Sequence, residues 1–161
     1  MVYLYRLRAG APELLMLRRA PARGDFWHWV SGAPERGESD REAAIREVLE
    51  ETGLDVAATI FALDYRYAYP LRPEWRERWL ELYGPDVTRI PVETFGAEAP
   101  SSWEPTLDDE HTAYAWCTFA EAQQRLFWPR DPATLDHLRA TLAVLRRALL
   151  EDRMAADTDA P

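Results

Sequence analysis

The segment from Gly32 to Leu54, GAPERGESDREAAIREVLEETGL, constrains this chain more than any other part of it. Gly32 is followed six residues later by Glu38 and eight further on by Arg46-Glu47; an apolar residue, any residue, Glu50-Glu51, any residue, Gly53 and the apolar Leu54 follow. Ser39 with Glu42 forms a capping-box signature, and Gly53 can take the left-handed conformation that ends a helix, so residues 40–52 are expected to be helical. On such a helix Ile45, Val48, Leu49 and Thr52 fall along one side, and Glu47, Glu50 and Glu51 along another. One face is expected to pack while the other presents carboxylates.

A helix alone gains nothing from that arrangement. Its last two turns hold Glu47, Glu50 and Glu51 at the negative end of the macrodipole, and Glu47 with Glu51 is a like-charge pair at four spacing. Arg46 lies four residues before Glu50 and can neutralise or orient it, but one guanidinium does not balance three carboxylates. Clustered hard oxygen ligands suit Mg²⁺, with Mn²⁺ as the alternative, and leave room for water and phosphate oxygens in the coordination shell. The bland alternative is a solvated acidic face, which a generic Glu-Val-Leu-Glu-Glu run would favour; the full spacing from Gly32 to Leu54 speaks against it.

Length and charge narrow the function classes. A chain of 161 residues, 47% hydrophobic and 29% charged, suits one packed domain. Residues 1–150 are read as that domain, and the stretch EDRMAADTDAP, 151–161, as a disordered tail. No apolar run approaches a membrane span, and MVYLYRLRAG lacks the apolar core of a signal peptide, so a cytoplasmic location without membrane attachment is expected. Cys117 has no partner for an internal disulfide and lies in the apolar run AYAWC, where a buried thiol acting as a small hydrophobe is the default; a reducing compartment fits. The net charge of −9 argues against binding long nucleic acid, which depends on many cationic contacts to phosphates, and leaves a small phosphorylated molecule as the partner. Lysine is absent from the sequence, so every side chain with a permanent positive charge is a guanidinium. Nothing in the sequence indicates an oligomeric state.

Along the chain, VYLYRL and ELLMLRR read as short strands joined by a turn, and FWHWVSG leads into the glycine loop. DVAATIFALDYRY and VETFGAEA carry strand character, and TAYAWCT reads as a further strand. FAEAQQRL and PATLDHLRATLAVLRRALL have apolar residues at three and four spacing and read as helices. The segment from Tyr65 to Pro91 shows no clean periodicity outside PEWRERWLEL, a candidate short helix; it is either a substrate-contacting insertion or surface cover. Strands flanked by helices around one acidic helix suggest a mixed α/β sandwich.

The window resembles the signature of the Nudix hydrolases, α/β/α sandwich enzymes with a mixed sheet that use divalent metals to hydrolyse phosphoanhydrides. The resemblance implies that Glu47, Glu50 and Glu51 supply metal ligands and help activate water, and that Arg46 orients a catalytic glutamate. It also implies that the loop from Gly32 to Glu38 lets backbone approach the metal. Flanking segments, LLMLRR, DFWHWVSG, YGPDVTR with VETFGAEAP, and DEHTAYAW, are similar to the bacterial dihydroneopterin triphosphate pyrophosphatase branch, also described as a dATP pyrophosphohydrolase. In that branch the glutamate before a late histidine completes the metal site, which implies such a role for Glu110; by its own residues Asp108-Asp109-Glu110 reads only as a solvated loop before a strand. DFWHWVSG departs from the commoner Trp-x-x-Pro-Gly-Gly entry, and YRYAYPLRPEWRERW is longer and richer in arginine and aromatics than that branch leads one to expect, so the recognised ring could differ.

The expected activity is Mg²⁺-dependent cleavage of dihydroneopterin triphosphate or a (deoxy)nucleoside triphosphate into monophosphate and pyrophosphate. Rival readings are a Nudix hydrolase of dinucleoside polyphosphates or oxidised dNTPs, and a noncatalytic Nudix-fold binding module. Arg18, Arg19 and Arg89 are candidates for phosphate contacts, and Trp27, Trp29 and the tyrosines of DYRYAY for stacking on a planar ring, although each taken singly is as readily surface or core. His28 and His111 lie near these motifs without a Ser or Cys partner arranged for a triad, so no nucleophilic catalysis is read.

Overall fold

A computed structural model of the chain describes residues 1–73 and 76–125 and, beyond them, positions 140, 143, 144 and 147. The elements are β1 (Val2–Arg8), β2 (Ala11–Arg19), β3 (Trp27–His28), α1 (Asp40–Thr52), β4 (Phe61–Pro70), α2 (Arg76–Tyr83), β5 (Arg89–Glu98), β6 (His111–Cys117) and α3 (Phe119–Arg125). The expected tail at 151–161 and most of the long helix expected over 132–150 lie outside the described residues. No helix among the described residues is long and apolar enough to cross a membrane.

Among the described residues the strands form one mixed sheet. The path runs β3-β2-β1-β5-β4, with β6 on the other side of β2. β1 is antiparallel to β2, with Tyr5 opposite Leu14, and parallel to β5, with Val2 opposite Phe95. As a central strand β1 is buried on both faces, which explains its near-continuous apolar run. Alternation then builds two cores. Tyr3, Tyr5, Leu14, Met16 and Trp29 pack on one face with Ala122 of α3 and with Val144; Val2, Leu4, Leu15, Leu17 and Val30 pack on the other with Ala44 and Val48 of α1. Helices on both faces of a mixed sheet make the α/β/α sandwich that was expected.

Helix α1 starts and stops where its sequence dictates. Glu42 N–H donates to Ser39 Oγ (3.3 Å), Ser39 N–H donates to the Glu42 carboxylate (2.9 Å), and Gly53 at φ 76° sends its N–H to Leu49 O (2.9 Å). The division of its faces differs from expectation. Ala43, Ala44, Val48, Glu51 and Thr52 are buried, whereas Leu49 is 50% exposed. The buried stripe thus passes through an acid at position 51 rather than through Leu49, and the packing and carboxylate faces overlap instead of opposing each other.

Two further expectations need correction. DVAATI is not strand: Asp55 Oδ1 accepts from Ala57 N–H (2.9 Å) and Val56 O accepts from the N–H groups of Thr59 and Ile60, so a side-chain-stabilised turn precedes β4 at Phe61. The segment from Tyr65 is more regular than it reads, because β4 runs on to Pro70 against Arg89 of β5 and α2 follows. Trp79 of α2 packs with Ala33 and Ile90, bringing this insertion against the glycine loop.

The placement of α1 predicts unequal responses to neighbouring truncations. Val48→Ala should cost about 2 kcal/mol in unfolding free energy, through lost burial and a residual cavity. Leu49→Ala should change it by less than about 0.5 kcal/mol. Denaturant midpoints of the two variants check this; equal losses would contradict the packing described.

Candidate active site

The glycine loop and α1 are joined at Arg46. Its guanidinium donates to both carboxylate oxygens of Glu38 (3.0 Å each), to Glu47 Oε1 (2.8 Å), to Glu50 Oε2 (3.0 Å) and to the carbonyl of Ala33 (3.1 Å). Such charge-assisted bonds are the strong ones, and a planar fork can reach Glu38 bidentately where an ammonium could not. Arg46 holds Glu38 below the usual carboxylate range, and its own proton is held more tightly in return. Glu38 also accepts from Glu35 N–H (2.8 Å), which folds the loop back on itself.

Gly32 sets the closeness of approach. A Cβ there would lie 1.8 Å from Glu47 Cδ and Oε1, so no other residue fits without moving the carboxylate. Glu51 stands one helical turn from Glu47 and is only 5% exposed. Burial, with the neighbouring charge of Glu47, pushes its carboxyl up to about 9; Asp108 adds to the rise, while Arg19 and the backbone N–H of Ser31 oppose it. Its Oε2 is buried without a hydrogen-bond partner among the described residues. Glu50, by contrast, is exposed over 56% of its side chain.

A second wall comes from the loop before β6. Arg6, buried in the protein, donates to Glu13 (2.8 Å), Glu104 (2.8 Å) and Trp103 O (3.4 Å) and lies over the Trp116 ring at 4.1 Å, which pins the loop. Farther along, Glu110 pairs with Arg23 (2.8 Å) and Arg19 (3.6 Å). His111 Nδ1 lies 2.6 Å from Asp108 Oδ1, and its Nε2 lies 2.8 Å from His28 Nε2. In the tautomer whose Nδ1–H donates to Asp108, His111 Nε2 is free to accept from His28 Nε2–H. Burial and nearby Arg19 lower His28 to about 3, so it is neutral at ordinary pH.

Strand alternation decides which expected residues meet the acids. Arg19 and His28 lie on the α1 side of the sheet with Leu17 and Val30, whereas Arg18, Trp27 and Trp29 belong to the α3 side. Arg18 is forked onto Asp25 (2.8 and 3.1 Å), and Arg125 stands over the Trp27 ring at 5.1 Å. Trp29 is 1% exposed and packs on Tyr3 with ring centroids 5.0 Å apart, so as a stacking surface it is corrected to a core residue. Arg89 donates to Ala68 O at the far end of the β4–β5 pair. Arg46, Glu47, Glu50, Glu51, Arg19 and Glu110 thus remain as the candidate centre. Sequence reading placed Glu38 in the glycine loop and His28 near the motifs without giving either a partner there, and gave Asp108 and Arg23 no place beside the centre. Glu38 could have been found as the remaining acid of the spaced motif, but the His28–His111 contact joins residues 83 apart and leaves no periodic trace.

The donor chemistry fits a hard divalent cation: carboxylate oxygens, one of them buried without a partner, beside a glycine through which backbone approaches. Among the described residues no three His, Cys, Asp or Glu side chains already converge on one point as a metal site. Arginines pair with Glu38, Glu47, Glu50 and Glu110, so a cation would share these carboxylates with guanidinium groups or compete for them.

The NUDIX domain family model matches residues 2–138. The chain is 35% identical over 107 residues to the dihydroneopterin triphosphate diphosphatase of Escherichia coli K12, covering 65% of this chain and 67% of that protein. It is 31% identical over 129 residues to the asymmetrical bis(5'-nucleosyl)-tetraphosphatase of Rattus norvegicus, covering 76% of each. The solved structure of the E. coli dihydroneopterin triphosphate pyrophosphohydrolase superposes with a TM-score of 0.64 at 26% identity, covering 90% of this chain and 94% of that one. A further relative, the octanoyltransferase of Myxococcus xanthus, is 35% identical over 119 residues, and the matched part is only 30% of its length. A mixed-sheet sandwich with this acid motif on its helix is a phosphoanhydride-hydrolase domain. The chain belongs to the Nudix family, whose enzymes generally use divalent metal ions.

Gly32→Ala is expected to lower stability by about 1–3 kcal/mol, the usual range for overpacking, because Glu47 must leave its place on Arg46. A denaturant series against wild type measures it; an unchanged midpoint would mean that the carboxylate moves away without cost.

Proposed function

We propose that this domain is a Mg²⁺-dependent pyrophosphohydrolase of dihydroneopterin triphosphate or a (deoxy)nucleoside triphosphate, releasing pyrophosphate and a monophosphate. The observation that carries the reading is Glu51, a carboxyl buried beside Glu47 with one oxygen unpartnered, an unfavourable arrangement that a divalent cation would relieve. Support for the substrate class comes from the E. coli relative, named a dihydroneopterin triphosphate diphosphatase.

Glu47, Glu50, Glu51 and Glu110 would hold Mg²⁺, with Mn²⁺ an acceptable substitute. When bound there, the cation would supply Lewis acidity that screens phosphate charge and acidifies water. Arg46 keeps Glu47 and Glu50 oriented toward one side of α1 while Glu38 anchors the guanidinium. Glu50, the more exposed acid, would act either as a further ligand or as the base that takes the proton of the attacking water, its Oε2 accepting from Arg46 in both roles. Arg19, close to both Glu51 and Glu110, adds positive charge where the phosphates would lie and favours the leaving pyrophosphate.

The rat relative's name favours a second reading within the family, hydrolysis of a dinucleoside polyphosphate. A turnover assay with Mg²⁺ against dihydroneopterin triphosphate, the dNTPs and a dinucleoside polyphosphate, scoring phosphate and pyrophosphate release separately, distinguishes these. Preference for the pterin with pyrophosphate release, reduced at least ~100-fold by Glu51→Gln at unchanged circular dichroism, is the expected result. Preference for the dinucleoside compound would replace the substrate, and full activity of the variant would remove Glu51 from its role.

A further inference from the structure

We infer that Arg23 is a phosphate-contacting residue, held on Glu110 while the site lacks a cation and transferred to the substrate when a cation takes that carboxylate. The inference rests on the proposed function. Both oxygens of Glu110 are engaged by guanidinium groups: Oε1 by Arg23 Nη2 at 2.8 Å and Oε2 by Arg19 Nη1 at 3.6 Å. A cation drawn to that carboxylate would compete with both guanidinium groups for its negative charge, so loading the site is expected to weaken one or both pairs. Arg19, the partner of the other oxygen, also favours the charged form of Glu51.

Arg23 is the freer of the two to move. Its side chain is 54% exposed, against 24% for Arg19. Its backbone is nevertheless fixed. Residues 21–23 form a 3-10 turn in which Arg23 N–H donates to Ala20 O (2.8 Å), and Gly24 closes it at φ 113°. Ala20 N–H donates to Glu110 O (2.8 Å), Arg19 N–H donates to Phe26 O (2.9 Å), and the Arg18–Asp25 fork braces the loop from the other side of the sheet. The turn therefore stays beside Glu110 whichever way the Arg23 side chain swings. Once released, a planar guanidinium finds its best partner in the non-bridging oxygens of a polyphosphate brought to the same carboxylate by the cation.

The exchange gives one substitution two effects of opposite sign. Arg23→Gln removes a competitor for Glu110, so Mn²⁺ alone, followed by its electron paramagnetic resonance signal, should bind about two- to fivefold more tightly. The same variant should bind inorganic pyrophosphate about tenfold more weakly by calorimetry at saturating Mn²⁺, with Arg23→Lys intermediate. A merely structural Arg23 would weaken both or move neither. If wild type binds Mn²⁺ and pyrophosphate but Arg23→Gln does not shift them in opposite directions, the inference is overturned and the proposed function stands. If wild type binds neither probe, the functional reading fails and takes the inference with it.

Discussion

The guanidinium of Arg46 is the constraint on which the site depends. Three acids crowd the C-terminal half of α1, where the helix dipole and their mutual repulsion oppose them. Arg46 offsets part of that cost by binding Glu47 and Glu50 along its own helix, and it reaches across to Glu38 and the Ala33 carbonyl. Loop and helix are thereby fastened at one end by Arg46 and pressed together at the other, where Gly32 lies against Glu47. Docking of the same helix on Val2, Leu4, Leu15 and Leu17 through Ala44 and Val48 then fixes where Glu51 must lie. Its burial follows from the fold rather than from any preference of a carboxylate.

The sheet supplies the rest by parity. Residues one apart on β2 and β3 face opposite layers, so Arg19 and His28 share a side with α1 while Arg18, Trp27 and Trp29 do not. A pair of arginines adjacent in sequence is thus divided between two tasks. Arg19 sits among the acids, and Arg18 braces the 20–26 loop through Asp25. The Asp108–His111–His28 array, buried at both imidazoles, and the Arg6 cluster tie the loop before β6 to the sheet, which is what keeps Glu110 near the turn that carries Arg23.

Local chemistry explains which features were legible in the sequence. The capping box, the Gly53 terminus and the spacing of the acids all act within one helix and its preceding loop, so the window from Gly32 to Leu54 carries them entire. The strands around it were legible for the same reason. What escaped reading depends on pairings between distant segments. β4 continues to Pro70 only because β5 offers a partner, and the turn at 55–60 looks like strand until the Asp55 side chain is seen to close it. Leu49 and Glu51 exchange their expected exposure because the helix is rolled by its contact with the sheet, which periodicity within the helix does not report. The rings at positions 27 and 29 could have served a ligand or the core; strand register placed Trp29 in the core.

The central claim is that the burial of Glu51 costs stability that a bound divalent cation restores. Thermal unfolding of wild type and Glu51→Gln, each in chelator and in excess Mg²⁺ or Mn²⁺, tests it most directly. In chelator the variant should be at least as stable as wild type, since a neutral amide replaces a carboxyl with an unpartnered oxygen. With the cation, wild type should gain stability that the variant does not, because a ligand bound only by the folded state raises the transition. A variant destabilised in chelator, with equal cation-induced shifts in both proteins, would contradict the account.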